Sequence, residues 1–195
     1  MLKIIIEDYN PKWVGLFLTK KQKLKDLLEQ FSPAVEHIGS TSVERLMAKP
    51  IIDIMVGLNH EEHLDQVIGP MTGNGYTYFK IYEAILPERH LFGKLKPLVP
   101  IEVPEVIGLN EEYIAGKEFF SLTHIHVLIK DSPEWIRHLA FREFLRAHPE
   151  KRNEYQTLKI ELAKQEFQHH FEYNAGKNDF IKATEKLALE WYQEA

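Results

Sequence analysis

The sequence contains no cysteine. That excludes a disulfide framework, a thiolate metal centre and a cysteine nucleophile, and it is compatible with a reducing cytosol. It has no apolar run near the roughly eighteen residues that a membrane span needs. The first residues, Met1-Leu2-Lys3-Ile4-Ile5-Ile6-Glu7-Asp8, lack the long apolar stretch of a signal peptide. Positive charge is not in excess. Lys and Arg number 24 against 29 Asp and Glu, a net charge of -5. No global field therefore draws the chain to nucleic acid or an anionic membrane. The expectation is a cytoplasmic protein with neither a membrane nor a nucleic acid as partner. Several catalytic signatures are missing too: there is no P-loop, no Rossmann glycine pattern and no Gly-x-Ser-x-Gly elbow. His60-Glu61-Glu62-His63 spaces its histidines one residue too closely for the zinc-protease helix.

What is present is ordinary in amount and informative in order. The chain has 195 residues, 44% hydrophobic and 27% charged. That suits one domain, with residues 133–195 as its helical carboxyl-terminal part. Lys3–Ile6 reads as a short strand. Asn10-Pro11 starts a helix that carries Trp13, Phe17, Leu24 and Leu28 to about Gln30. Val35–Ile38 and Ile51–Val56 read as core strands. Between them, Thr41-Ser42-Val43-Glu44 has capping-box spacing and predicts a short helix. A helix over Glu61–Met71 closes at Gly73-Asn74-Gly75. Tyr76–Tyr82 and Arg89–Leu95 form an antiparallel pair. Lys96–Leu122 is a looped insertion with a short helix near Glu111–Lys117, and Thr123–Ile129 is a further strand. Helices are expected over Pro133–Ala147, Lys151–His170 and from Asn178 to the end. The fold class is α/β (α+β): a mixed sheet of about five strands flanked by helices.

Four groups of residues carry candidate chemistry. Gly39-Ser40 lies where a strand gives way to a turn. Glycine there lets a phosphate approach the backbone, and Ser40 can donate a hydrogen bond; a plain strand-to-helix turn has the same composition. Asp53 is a carboxylate inside an apolar strand, which needs pairing or a metal. Asp53, Met55 and Gly57 share one face, and Ile52, Ile54 and Val56 share the other, which must be core. His124 and His126 likewise share a face, and such a pair can ligate a metal, contact a phosphate or simply be hydrogen-bonded. His138, Arg142 and Arg146 recur every four residues on an otherwise apolar helix. They form either an anion contact or ion pairs with Glu143 or Glu150. Arg89 and His90 open a strand and are within reach of a cleft. Lys49, just before Asp53, either meets a phosphate or caps the preceding turn.

At these residues the sequence resembles the GrpB-like family. Glu36-His37-Ile38-Gly39-Ser40-Thr41 and Lys49-Pro50-Ile51-Ile52-Asp53-Ile54 carry the likeness. So do Thr123-His124-Ile125-His126-Val127, the run from Ser132 to Arg142, and Leu145-Arg146-Ala147-His148-Pro149. The blocks match in order from about Tyr9 to about Ala163. The resemblance implies a nucleotidyltransferase-like mixed sheet flanked by helices. In that superfamily a Gly-Ser pair binds a nucleoside triphosphate, and two carboxylates one residue apart on a strand hold a divalent metal. Gly39 and Ser40 match the first feature, and Asp53 matches the first carboxylate, which makes it the expected catalytic residue. Met55 stands at the second position and is a poor ligand for a hard cation. Asp53 with His124 and His126 would then be the metal ligands, for Mg, Mn or Zn, the histidines favouring a softer ion than Mg²⁺. Arg89, Arg142 and Arg146 would contact phosphate. Glu44-Arg45 replaces the Pro-Gly expected before Leu46. A related domain is fused to dephospho-coenzyme A kinase in some bacteria.

The implied activity is metal-dependent nucleotidyl transfer to an acceptor. The alternative is a non-catalytic module that binds a nucleotide, coenzyme A or a related phosphorylated small molecule. A third reading is an accessory protein, with its apolar terminal helices serving a partner or a homo-oligomer.

Overall fold

The computed structural model describes residues 3–111, 113, 116–167 and 170–194. The first helix, α1 (Lys12–Leu27), starts where Asn10 Oδ1 accepts the Lys12 N–H at 3.0 Å. It buries Trp13, Phe17 and Leu24, residues spaced three to four apart or by multiples of that, as one helical face requires. A 3-10 turn at Glu29–Phe31 leads into β1 (Ala34–Ile38). A second 3-10 turn, Ser40–Ser42, connects towards β2 (Ile52–Leu58). Two short helices follow, α2 (Glu62–Gln66) and α3 (Ile68–Gly73). Then come β3 (Thr77–Phe79), β4 (Arg89–Pro97), β5 (Val106–Ile107) and the long β6 (Phe119–Ile129). Four helices close the chain: α4 (Pro133–Ala147), α5 (Pro149–Ala163), α6 (His170–Ala175) and α7 (Asn178–Glu194). Ser132 caps α4 through the Trp135 N–H, and Pro133 occupies its first turn.

The strands form one mixed sheet in the order β1-β2-β6-β4-β3-β5. β2 and β6 are parallel, and β1 and β4 run antiparallel to their neighbours β2 and β6. Register aligns Ile38 with Asp53, and Asp53 with His124, which in turn faces Gly93 of β4. All four positions therefore share one face. The other face presents Val35, Ile52, Ile54, Val56, Ile125, Val127 and Phe92. These pack with Trp13, Phe17 and Leu24 of α1 into the main core.

Several expectations are corrected here. Lys3–Ile6 forms no strand; the segment makes one antiparallel bridge, Glu7 with Ala48. The stretch Thr41–Glu44 is not an α-helix. After the 3-10 turn the chain turns again with Arg45 at φ +66°. The Glu61–Met71 helix is split at Val67, and the helix expected to reach His170 stops at Ala163. The sheet gains a sixth strand, β5, from within the insertion. The short helix near Glu111–Lys117 rests on Glu112, Ile114 and Ala115, which lie outside the described residues.

Candidate functional site

The site lies on the sheet face covered by the carboxyl-terminal helices. Its first component is the irregular chain after β1. Gly39 takes φ +68°, a conformation that glycine adopts without penalty. A Cβ there would sit 2.4 Å from Asp53 Oδ2. Glycine at 39 therefore lets the carboxylate close against the backbone. Little of this segment's backbone bonds to itself, apart from Ser42 Oγ donating to the Gly39 carbonyl at 2.6 Å and weak turn bonds. Beyond the Glu7–Ala48 bridge and Thr41 Oγ1 donating to the Ile51 carbonyl, its partners are side chains more than a hundred residues away. Arg142 donates to the His37 carbonyl and to Glu36 Oε2, both at 2.8 Å. Arg146 donates to the Ser42 carbonyl at 2.7 Å. Gln156 Oε1 accepts the Met47 N–H at 2.9 Å. Lys159 Nζ donates to Ser40 Oγ at 3.1 Å and to the Met47 carbonyl. Buried backbone groups demand such partners, and α4 and α5 provide them.

The second component is Asp53. His124 Nδ1 lies 3.1 Å from its Oδ1, and the carboxylate is the natural acceptor of that N–H. The contact leaves Nε2 as the basic nitrogen of the ring. On the opposite face, His37 stacks on Phe17 with ring centroids 4.6 Å apart, and its Nε2 is 3.0 Å from Thr41 Oγ1. Burial pushes its pKa down to about 4, with Arg146 and Arg142 adding to the shift against Asp53. His37 is thus a neutral strut behind the loop.

The third component was not visible in the motifs. Lys49, Lys159 and Lys177 converge on a cavity of about 370 Å³ whose walls include Gly39, Ser40, Asp53, His124, Tyr155 and Tyr173. Lys159 is 3% exposed. Burial, then the charges of Lys177 and Lys49, pull its pKa down to about 7. Burial and Lys49 pull Lys177 down to about 8, with Asp53 opposing. Burial likewise lowers Lys49 against the pull of Asp53. Lys49 and Lys177 both lie over the Tyr173 ring, 5.3 and 4.5 Å from its centroid, a cation–π arrangement that holds them together. Among the described residues, none of the three ammonium groups forms a salt bridge. The signal for Lys159 was its helical spacing. It shares the buried face of α5 with Tyr155 and Leu162, where a lysine is costly without a role. Lys49, read from sequence as either a cap or a phosphate contact, lines the cavity.

The sequence-predicted residues divide accordingly. Gly39, Ser40, Asp53 and His124 come together. Arg142 and Arg146 reach the same region as clamps on the loop, and both also pair with Glu143. Arg89 is drawn elsewhere: its Nη1 donates to His138 Nε2 at 3.1 Å and lies 3.7 Å from Glu134. His138 donates through Nδ1 to the Glu134 carbonyl at 2.7 Å. Burial and the neighbouring Arg137 push its pKa down to about 4. His126 lies beside this second network, its ring 6.0 Å from that of His138, and both histidines, with Arg137 and Glu185, line the same cavity at its other end. His90 bonds Tyr78 and Asp65 on the opposite sheet face.

The donor set does not suit a divalent ion. Asp53 and His124 supply one carboxylate and one imidazole. Met55 is fully buried with Ile38, Leu128 and Trp135. His126 is turned towards cationic neighbours, and its own pKa is lowered by burial and then by Arg89. Among the described residues, no group of three or more His, Asp and Glu side chains is arranged to hold a metal. Three lysines beside Asp53 raise the positive potential further. No helix among the described residues is long and apolar enough to cross a membrane.

A mixed α/β sheet with a lysine-lined cleft beneath its terminal helices is thus the class of protein at hand. Residues 3–187 match the sequence profile of the GrpB protein family, and the chain belongs to that family. It is 33% identical to the UPF0157 protein YqkA of Bacillus subtilis over 195 residues, covering 97% of this chain and 48% of that protein. The chain thus spans about half the length of this relative. It is 24% identical to the glutamate-rich protein GrpB of Alkalihalophilus pseudofirmus, across 92% of both chains. The crystal structure of conserved protein GrpB from Enterococcus faecalis superposes with a TM-score of 0.76. That protein is 34% identical, and the match covers 97% of this chain and 99% of that one.

Proposed function

We propose that this protein binds a phosphorylated small molecule, of the nucleotide or coenzyme class, without needing a divalent metal. The observation that carries this reading is the cluster of Lys49, Lys159 and Lys177 on the wall that also holds Ser40. Three ammonium groups, that of Lys159 buried and those of Lys49 and Lys177 half-buried, line a cavity whose carboxylates are Asp53 and Glu185, the latter already paired with Arg137. An isolated buried charge is costly, and a bound anion offsets that cost. The lysines take the place that divalent cations hold in metal-dependent phosphate sites, while Ser40 Oγ and the exposed backbone at Gly39 offer neutral contacts. Arg142 and Arg146 act one step removed, by holding the loop in shape. Calorimetric titration with pyrophosphate, ATP and coenzyme A in excess EDTA tests the reading. Binding should persist without metal, and Lys159→Met should weaken it by about tenfold or more, as loss of one charged contact implies. Affinity should fall as pH rises through about 7 and about 8, where Lys159 and Lys177 lose their protons in the free protein. Binding that required Mg²⁺ and ignored Lys159→Met would overturn it.

The Asp53–His124 contact favours a second, catalytic reading. His124 Nε2 would take the proton from an acceptor hydroxyl as its oxygen attacks phosphorus, while Asp53 orients the ring and stabilises its charged form. The attack is on the α-phosphorus of a nucleoside triphosphate; its bond to the bridging oxygen breaks, and the pyrophosphate that leaves would remain on the lysines. Release of pyrophosphate from ATP by the wild type, absent in His124→Gln, distinguishes transfer from binding alone.

A further inference from the structure

A second cavity, of about 780 Å³, adjoins the lysine cleft on the same face of the sheet. The two share Lys49, Ile51, His124, His126 and Asn174 as wall residues, so one molecule can extend from one into the other. Their chemistry differs. Away from the shared wall, the second cavity is lined chiefly by apolar and aromatic side chains, among them Phe79, Tyr82, Leu86 and Leu91. Burial pushes the Tyr82 phenol up to about 12, so it stays neutral. Phe79 lies flat on the strand because Gly93 has no side chain: a Cβ there would meet the ring at 2.6 Å. Glycine at this position thus shapes the aromatic wall. The rim gathers four of the protein's exposed large hydrophobic residues: Ile5 (64% exposed), Ile85 (61%), Leu98 (52%) and Phe120 (37%). Single exposed apolar residues need no explanation, but a set of them around the mouth of a cavity marks a surface that a ligand covers.

We infer that the protein's ligand is an organic phosphate with an apolar or aromatic body: the phosphate sits on the lysines and the body fills the second cavity. This rests on the phosphate reading above and narrows it. A compact polar phosphate leaves the larger chamber wet and unused. An aromatic or alkyl phosphoester removes its body from water together with the rim. The passage between the two parts runs past His124 and His126, so the phosphoester oxygen of such a ligand lies beside these imidazoles.

The test compares inorganic phosphate, hexyl phosphate and naphthyl phosphate by calorimetry on the full chain. Both organic phosphates should bind about tenfold or more tightly than inorganic phosphate, from the apolar area they bury. The stronger of the two identifies the body as alkyl or aromatic. Leu86→Trp, which fills the chamber, should remove that gain and leave inorganic phosphate unchanged. Phe120→Ser, at an exposed position that folding tolerates, should reduce the gain in the same direction. Equal affinities for all three probes, each lost in Lys159→Met, would overturn this inference and leave the phosphate reading standing. No binding of any probe would overturn both.

Discussion

The two faces of strand β2 differ more than any other neighbouring surfaces in the molecule. Ile52, Ile54 and Val56 meet α1 and are almost completely buried. Asp53, Met55 and Gly57 face the terminal helices, and they do not share one fate. Trp135 packs on Gly57 so closely that a Cβ would lie 2.6 Å from its ring, and it seals Met55 as well. Only the Asp53 end stays open. The comparison shows that strand alternation separates a core face from another face. Which part of that other face becomes a site is decided by where a helix stops covering it. The open end is also where Lys49, Lys159 and Lys177 enter, from two connecting segments and one helix, α5.

Breaking the core face should have the largest effect on stability. Ile54→Ala should lower unfolding free energy by about 3–4 kcal/mol, the usual cost of a large-to-small change in a packed core. Urea unfolding checks the value. Anion affinity at 25 °C should stay unchanged, which separates the two faces. Acid should weaken both faces together. His37, behind the loop, and His138, on α4, are each pushed down to about 4 in the folded protein, chiefly by burial, against 6.5 for the free side chain. Because the folded values are lowered, unfolded chains take up protons first. Stability is full above pH 6.5 and falls as pH drops towards 4, by about 1.4 kcal/mol per pH unit for each histidine. Unfolding measured between pH 7 and 4 should show this slope, halved in His37→Gln if the pairing with Thr41 survives. The smallest effect concerns the connection between the faces. Arg45 is exposed and sits at φ +66°, where the family resemblance leads one to expect glycine. Arg45→Gly should raise stability by about 0.5–1 kcal/mol, read as a higher midpoint in thermal unfolding. A fall would show that the Arg45 side chain contributes more than its backbone strain costs.

Much of the frame is legible in the sequence. The helical spacing of Trp13, Phe17 and Leu24, the apolar runs of β1 and β2 and the Ser132-Pro133 start of α4 are local signals, and local signals report local structure. The sequence groups Asp53 with His124 and His126 as metal ligands; the structure places His124 Nδ1 3.1 Å from Asp53 Oδ1. The expected helix at Thr41–Glu44 failed because capping-box spacing says nothing about distant competitors. There the carbonyls of His37, Ser42 and Met47 are taken by Arg142, Arg146 and Lys159. Of the two readings of the arginine stripe on α4, ion pairing with Glu143 is present, and the loop carbonyls of His37 and Ser42, which no local signal points to, take further donors.

By itself, the sequence determined the alternation that makes one face of the sheet apolar, a glycine at the turn after β1, and membership of a family whose blocks recur in order; that this glycine makes room for Asp53 is a tertiary fact. Periodicity and backbone chemistry are properties of neighbouring residues, so they can be read along the chain. Tertiary structure alone decided that Lys49, Lys159 and Lys177 share one cavity, that Met55 belongs to the core, and that an apolar chamber opens beside the lysines. Each depends on distances between segments up to 128 residues apart, from Lys49 to Lys177. Burial and the field of those neighbours set the charge of each group only after the chain has closed around it.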